Sequence, residues 1–470
     1  MNPGTDSAPV RLAELVAALS LGIDLGFGQP MEHVLRQCLI ALRLADRVGL
    51  REDERAVVYY TALLVNVGCH ADAHEQAKWF GDDVALKQTK YAPGDGRPKA
   101  IDFFRNFGAG HPPLHRFRLG LEFVLGGHRE VVAMVVHHAA IGRMLAEHLS
   151  LSATVQQAIA ASYEWWDGRG WPGKLQGDAI PLAARIALIA EYAEVANRVG
   201  GLDAVRKLAG QRRGGHFDPR LCDLLRTEGE TLLAGMDDIA AWDAVIDAEP
   251  ALALVVAGDR LDAALTAIAD FVDLKSPFFL GHARAVSALA AEAGARAGMP
   301  EPTVGLLRRA GLVHGLGRLG ISNAILDKRG RLGAGEWERM RLQPYLTGRM
   351  LRQAAALAPI AQLAVQHRER LDGSGYPQGI GGVRLSREAR FLAAADAYQA
   401  MREPRPHRPA LSPEEAATEL RAEVKAGRHD GEAVEAVLQA AGHRVPLRRD
   451  GPAGLTIREV EVLRLLARGL

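Results

Sequence analysis

Leu371-Asp372-Gly373-Ser374-Gly375-Tyr376-Pro377 follows, 205 residues later, the near-match Trp166-Asp167-Gly168-Arg169-Gly170-Trp171-Pro172. Self-similarity at a long offset decides the fold here, because a missed duplication mis-assigns every later element. An Arg stands 18 residues after each Asp (Arg185, Arg390), and an acid stands 24 after it (Glu191, Asp396). Upstream, Gly142-Arg143-Met144-Leu145 matches Gly348-Arg349-Met350-Leu351 at an offset of 206. Further back the offset is 249: 32 residues after His33 and His282 come Val65, in Leu-Val-Asn-Val-Gly, and His314, in Val-His-Gly-Leu-Gly. The change implies an insertion of 43 residues in the first copy, assigned to the polar stretch from Lys78 to about Pro113.

The chain has 470 residues, 48% hydrophobic and 24% charged. At roughly 100–200 residues per domain, that is two to four domains. Aromatics are scarce, Ala-rich stretches run from Ala183 to Ala196 and from Ala389 to Ala400, and alternating β-branched runs are nearly absent. This composition predicts an all-α chain. The repeat divides it into helical bundles at 1–235 and 256–444, an acidic linker at 236–255, and a segment at 445–470. Ser412-Pro413-Glu414-Glu415 is a capping box with Pro at the first helical position, so a helix starts there.

A formal charge of +1 argues against a chain-wide basic surface for nucleic acid or anionic lipid. Three cysteines far apart, Cys38, Cys69 and Cys222, exclude a disulfide framework and a CxxC zinc site. No signal peptide and no run of about 18 apolar residues is visible. A cytoplasmic protein with no membrane partner is expected.

These landmarks resemble the HD-GYP family of metal-dependent phosphohydrolases, whose active members hydrolyse cyclic di-GMP. In the second copy, His282 sits at the family's first helical His and Val313-His314-Gly315-Leu316-Gly317-Arg318 at its His-Asp-x-Gly-Lys core. Gln343-Pro344 stands at the His-Pro pair, His367-Arg368-Glu369 at the His-His-Glu, Asp372 to Pro377 at the GYP loop, and Asp396 at the closing Asp. The departures are Gly315 where an Asp would bridge two metals, Gln343 and Arg368 where histidines would ligate, and Arg318 for Lys.

The resemblance implies one divalent ion (Fe, Mn or Zn) on His282, His314, His367 and Asp396, with His314, Arg318 and Asp396 as the catalytic set. It also implies Arg318, Arg368, Gly375 and Tyr376 as contacts to a cyclic dinucleotide or other phosphoester. A two-metal hydrolysis needs the missing bridging carboxylate. Without the family, the spacings of 32, 53 and 29 residues carry almost no signal, and leftover core or surface histidines are the alternative.

The first copy keeps His33 but has Val65-Asn66, Cys69, Ser162-Tyr163 and Glu191 at the remaining positions, with His137 at the His-Pro position. It reads as non-catalytic, a platform for sensing or homodimerisation. Within Cys69 to Glu75, His70 and His74 would share one face of a helix and could share a metal; an exposed polar helix start is the alternative. Trp165, Trp166 and Trp171 read as packing around the first loop.

The last sixteen residues, Leu455 to Leu470, contain a capping box (Thr456, Glu459), an apolar stripe (Val460, Leu463, Ala467) and a helix stop at Gly469. They resemble the first helix of a LuxR-type helix-turn-helix. The basic linker His443 to Arg449 precedes them, and the helices that would enter DNA would lie beyond Leu470. Position 470 therefore reads as a cut; the alternatives are a chain that has lost DNA binding, or a terminal amphipathic helix docked on the core. The expected function is a signalling phosphodiesterase of reduced activity coupled to transcription regulation; the alternative is an inactive scaffold that senses a ligand and regulates transcription. DNA would be a partner only with the motif completed.

Overall fold

The computed structural model describes residues 9–91, 108, 112–123, 128–250 and 254–444. The Leu455–Leu470 motif, its linker from 445 onward and most of the expected insertion lie outside the described residues. Apart from Val10–Arg11 pairing antiparallel with Val255–Val256, every named element is helical. The chain is all-α, as its composition predicts. Among the described residues, no helix is long and apolar enough to cross a membrane.

The helix Leu12–Gly26 explains the arrangement. Only Glu14 and Leu25 escape full burial along it, and a helix apolar on all faces belongs inside a core. On one side it packs on His33–Arg47 and Glu52–Leu64; on the other it meets the 3-10 turn Leu316–Gly320 and the helix Gln343–Leu351. At its end Gly26 leaves no room for a side chain: a Cβ would lie 2.3 Å from His70 Nε2 and 2.9 Å from the Leu319 carbonyl. Buried apolar residues from Val10 to Leu438 therefore form one continuous cluster. Arg11 ties the entry strand down, its guanidinium 2.6 and 2.8 Å from Glu249 Oε2.

Local geometry recurs in the two halves. His33 and His282 each open a helix after a residue in the left-handed region (Glu32 φ 79°, Gly281 φ 76°). In each case an Asp ten residues upstream of the following backbone N–H accepts from it: Val34 to Asp24 at 3.1 Å, Ala283 to Asp273 at 2.8 Å. Glu164 and Glu369 accept backbone N–H groups that close the two glycine loops. Arg185 and Arg390 reach Asp218 and Asp430, the N-caps of Pro219–Leu233 and Gly431–Ala440.

A buried ionic cluster joins the halves. Asp83 accepts from Ser322 Oγ and Asn323 N at 2.9 and 2.8 Å with one oxygen; its other oxygen lies 3.0 Å from Lys87 Nζ and 3.5 Å from Lys275 Nζ. Burial would raise the Asp83 carboxyl, but the two ammonium groups hold it well below the ordinary carboxylate range. Burial also pushes Lys275 down to about 8. Removing one partner of such a network leaves uncompensated charge and costs about 3–5 kcal/mol. Asp83→Asn should lower unfolding stability by that order at pH 7 in urea titrations. An acid whose folded pKa is depressed contributes above its unfolded pKa and loses that contribution progressively as pH falls toward the folded value, so the gap between wild type and variant should begin to narrow below about pH 4. Equal midpoints at pH 7 would contradict this reading.

Candidate functional site

Four buried side chains meet in the C-terminal half. His282 is the first residue of the helix His282–Arg296, and His314 caps the end of Glu301–Val313. His367 lies just beyond Ala358–Ala364, and Asp396 sits in the middle of Arg387–Arg402. Asp396 Oδ1 lies 3.2 Å from His282 Nε2 and 3.6 Å from His314 Nε2. The His314 ring centroid is 5.4 Å from that of His282 and 4.9 Å from that of His367.

Each ring is oriented through its other nitrogen. Nδ1 of His314 lies 2.7 Å from the Gly311 carbonyl, Nδ1 of His367 lies 2.8 Å from the Ala364 carbonyl, and Nδ1 of His282 lies 2.8 Å from Glu403 Oε2. Carbonyls and a carboxylate only accept, so each Nδ1 carries a proton, and in His314 and His367 Nε2 is left with a lone pair. Burial pushes the His314 imidazole down to about 4, and it drives His367 well below its ordinary value. Burial would raise Asp396, but the Arg368 guanidinium beside it holds it well below the usual range.

The Nε2 atoms of His314 and His367 and the ionised Asp396 carboxylate thus gather acceptor atoms beside His282 Nε2, and His367 Nε2 is buried with no partner. That set fits one divalent cation. Among the described residues, His282, His314 and Asp396 are the one trio of candidate donors whose atoms all lie within 4.8 Å of one another.

The carboxylate that would bridge a second ion is absent at Gly315. A Cβ on Gly315 would lie 2.7 Å from Arg318 Nη1 and 2.9 Å from its Cζ, so the guanidinium fills the space into which a carboxylate at 315 would project. Arg318 is buried and fully engaged: Nη1 is 3.0 Å from Asp273 Oδ1, Nη2 is 3.2 Å from His314 Nε2, and the group lies over Phe279. The residue expected to clamp an anion is thus held inside the cluster. Gln343 turns away from the donors and bonds the His314 carbonyl at 2.8 Å. Arg368 Nη1 is 3.2 Å from Asp396 Oδ2.

Arg368 also borders a cavity of about 260 Å³ shared with Trp337, Arg341, Arg370, Gly375 and Tyr376. Tyr376 makes an edge contact with Trp337 and carries Arg341 on its ring. Gly375 serves the loop first, since a Cβ there would come within 2.4 Å of the Glu369–Arg370 backbone. Sequence reasoning missed Trp337, Arg341 and Arg370; the i, i+4 spacing of Trp337 and Arg341 on the helix Ala334–Arg341 was the available signal.

In the N-terminal half the corresponding cradle holds an internal cation. Lys90 Nζ is 2.6 Å from Glu191 Oε1 and 2.9 Å from Asn66 Oδ1. Tyr91 and Asn66 donate to the same Glu191 oxygen, each at 2.7 Å. Rings of Phe27, Tyr91, Tyr163 and Tyr192 surround the ammonium at 5.6–6.0 Å. Burial opposes that charge, but Glu191 keeps the Lys90 ammonium above its ordinary value. His33 pairs with Glu194.

Two details of the sequence reading change here. His138, not His137, faces inward: a Cβ on Gly68 would strike the His138 carbonyl at 1.9 Å, as one on Gly317 would strike that of Gln343 at 2.0 Å. His137 is exposed. His70 and His74 do not share a helix face either. His70 ends the 3-10 turn Val67–His70, buried against Phe27, and His74 pairs with Asp327 at 2.9 Å. Trp165 packs on His216 and Trp166 under Arg185, in line with a structural role.

The HD domain model matches residues 128–221 and 266–433. The 3'3'-cGAMP-specific phosphodiesterase 3 of Vibrio cholerae is 30% identical over 405 residues, covering 85% of this chain and 88% of that protein. A cyclic di-GMP phosphodiesterase of Thermotoga maritima is 34% identical over 163 residues, 34% of this chain and 43% of that protein. The crystal structure of a cyclic GMP-AMP specific phosphodiesterase of V. cholerae superposes with a TM-score of 0.63 at 26% identity, covering 93% of this chain and 99% of the other. The chain belongs to the HD-domain family.

For an ion to take His314 Nε2, the Arg318 hydrogen bond must break, and a bond from a charged donor is worth about 1.5–3 kcal/mol. Arg318→Met, which keeps the stem, should therefore tighten Mn²⁺ binding about tenfold or more in calorimetric titrations. Unchanged affinity would show that the guanidinium does not compete.

Proposed function

We propose that the C-terminal half is a cyclic-dinucleotide phosphodiesterase site reduced to a single divalent ion (Fe, Mn or Zn) on His282, His314, His367 and Asp396. The observation that carries this reading is the convergence of acceptor atoms on Asp396 Oδ1, with His367 Nε2 buried and unpartnered beside them. Such an ion, when bound, polarises a phosphoryl oxygen and acidifies the adjacent water.

The protein supplies orientation and charge. Glu403 and the carbonyls of Gly311 and Ala364 fix the three rings. Arg341, Arg368 and Arg370 present positive charge to a phosphodiester, and Trp337 and Tyr376 offer faces on which a base can stack. The printed substrates of the relatives, 3'3'-cGAMP and cyclic di-GMP, fit that chemistry. Arg318 acts from inside as a positioning group on His314, and Tyr376 and Gly375 as part of the ligand wall. With no carboxylate at Gly315 to bridge a second ion, turnover should be slow.

The recurring caps and loops support reading 1–235 and 256–444 as two copies of one unit, the first with Lys90 in place of an ion. A second function is favoured by one observation: Arg318 and Arg368 already satisfy His314 Nε2 and Asp396 Oδ2 without any metal. That arrangement suits a sensor that binds the dinucleotide without cleaving it. Its output would be transcriptional through the LuxR-like pattern of Leu455–Leu470, a role resting on sequence alone.

The test is chromatographic turnover of 3'3'-cGAMP and cyclic di-GMP with added Mn²⁺. Linear product should appear, His314→Ala should lower the rate about 10–100-fold, and Trp337→Ala should raise KM with a smaller change in kcat. Equal rates in wild type and His314→Ala would overturn the enzyme reading. Retained dinucleotide binding by equilibrium dialysis in that case would favour the sensor.

A further inference from the structure

The N-terminal half holds a second group of titratable side chains that neither function uses. Cys69 Sγ lies 3.5 Å from His138 Nδ1, and His138 Nε2 lies 2.7 Å from Asp72 Oδ2. The Tyr163 hydroxyl is 2.9 Å from the same sulfur and 3.2 Å from the Val65 carbonyl. The Lys90 ammonium stands over the Tyr163 ring. The thiol lies within hydrogen-bond reach of the imidazole and the carboxylate ion-pairs with the far ring nitrogen, an order that activates a nucleophilic cysteine and orients its base.

The other two cysteines give an internal contrast. Cys38 touches only the Tyr59 carbonyl at 3.7 Å, and Cys222 lies in the core on the helix Pro219–Leu233. Both are wholly shielded, whereas Cys69 keeps 7% of its surface exposed. Burial pushes the Cys38 thiol far up and Cys222 to about 12. For Cys69 burial acts the same way, but His138 and Lys90 overcome it and the thiol lies below its ordinary value.

We propose that Cys69 is a modification site, a thiol activated by His138 and positioned through Asp72, which reacts with small uncharged hydroperoxides. The narrow exposure selects a reagent of nearly water size. The charged neighbours favour the thiolate that attacks it. The thiolate sulfur bonds to one peroxide oxygen as the O–O bond breaks. The departing hydroxide takes the proton of the His138 imidazolium and leaves as water. Sulfur is oxidised by two electrons to a sulfenic acid and the peroxide is reduced by the same two. The proposal is independent of any activity in the C-terminal half.

The experiment treats the full chain with hydrogen peroxide in the presence of dimedone and maps labelled peptides by mass spectrometry. Cys69 should label about tenfold or more faster than Cys38 or Cys222 in the folded protein. His138→Gln should slow Cys69 labelling about tenfold, and the isosteric Asp72→Asn severalfold, with circular dichroism unchanged. If His138→Gln does not fold, Asp72→Asn carries the test alone. Labelling of Cys69 no faster than that of Cys38 and Cys222, or undiminished in folded Asp72→Asn, would overturn the proposal.

Discussion

Asp396 is a buried carboxylate whose Oδ1 faces Nε2 of two imidazoles, and the rest of the site follows from that arrangement. Acceptors do not stabilise one another, and an unpaired charge in a dry core costs several kcal/mol. Something positive must sit among them. Arg368 meets one Asp396 oxygen and Arg318 meets His314, yet His367 Nε2 stays without a partner. The site is therefore charge-compensated without an ion and still keeps one buried acceptor atom unpaired. The guanidinium in front of Gly315 fills the space that a bridging carboxylate would need.

The N-terminal half meets the same requirement without an ion. Glu191 is as buried as Asp396, and Lys90 supplies the positive charge from within the chain, ringed by aromatic faces. On the two-copy reading proposed above, Lys90 belongs to the stretch that separates the two repeat offsets, so the added sequence and the absence of metal ligands in the first copy have one physical explanation. The helix Leu12–Gly26, buried on nearly all sides, packs against elements of both halves.

Much of this was legible in the residues. The all-α class follows from Ala-rich composition, and the four donors follow from motif positions whose spacing alone said almost nothing. The roles of individual side chains were less visible. Arg318 reads as a free cation in sequence, but only packing shows it held by Asp273 and His314. His137 and His138 are adjacent, and the close approach of Gly68 to one carbonyl, a tertiary fact, selects the second. Lys90 was hidden because a polar stretch with Gly and Pro reads as solvent-exposed chain, while its partner Glu191 lies 101 residues away. Asp24 and Asp273, nine residues before the helix starts at His33 and His282, had a regular spacing that could have revealed them.

The most direct measurement is the metal stoichiometry of the purified full chain by inductively coupled plasma mass spectrometry, paired with anomalous diffraction at the metal edge. The account predicts no more than one ion per chain, lodged between His282, His314, His367 and Asp396, and none at Glu191. Two ions bridged beside Gly315, or an ion displacing Lys90 in the N-terminal half, would contradict it.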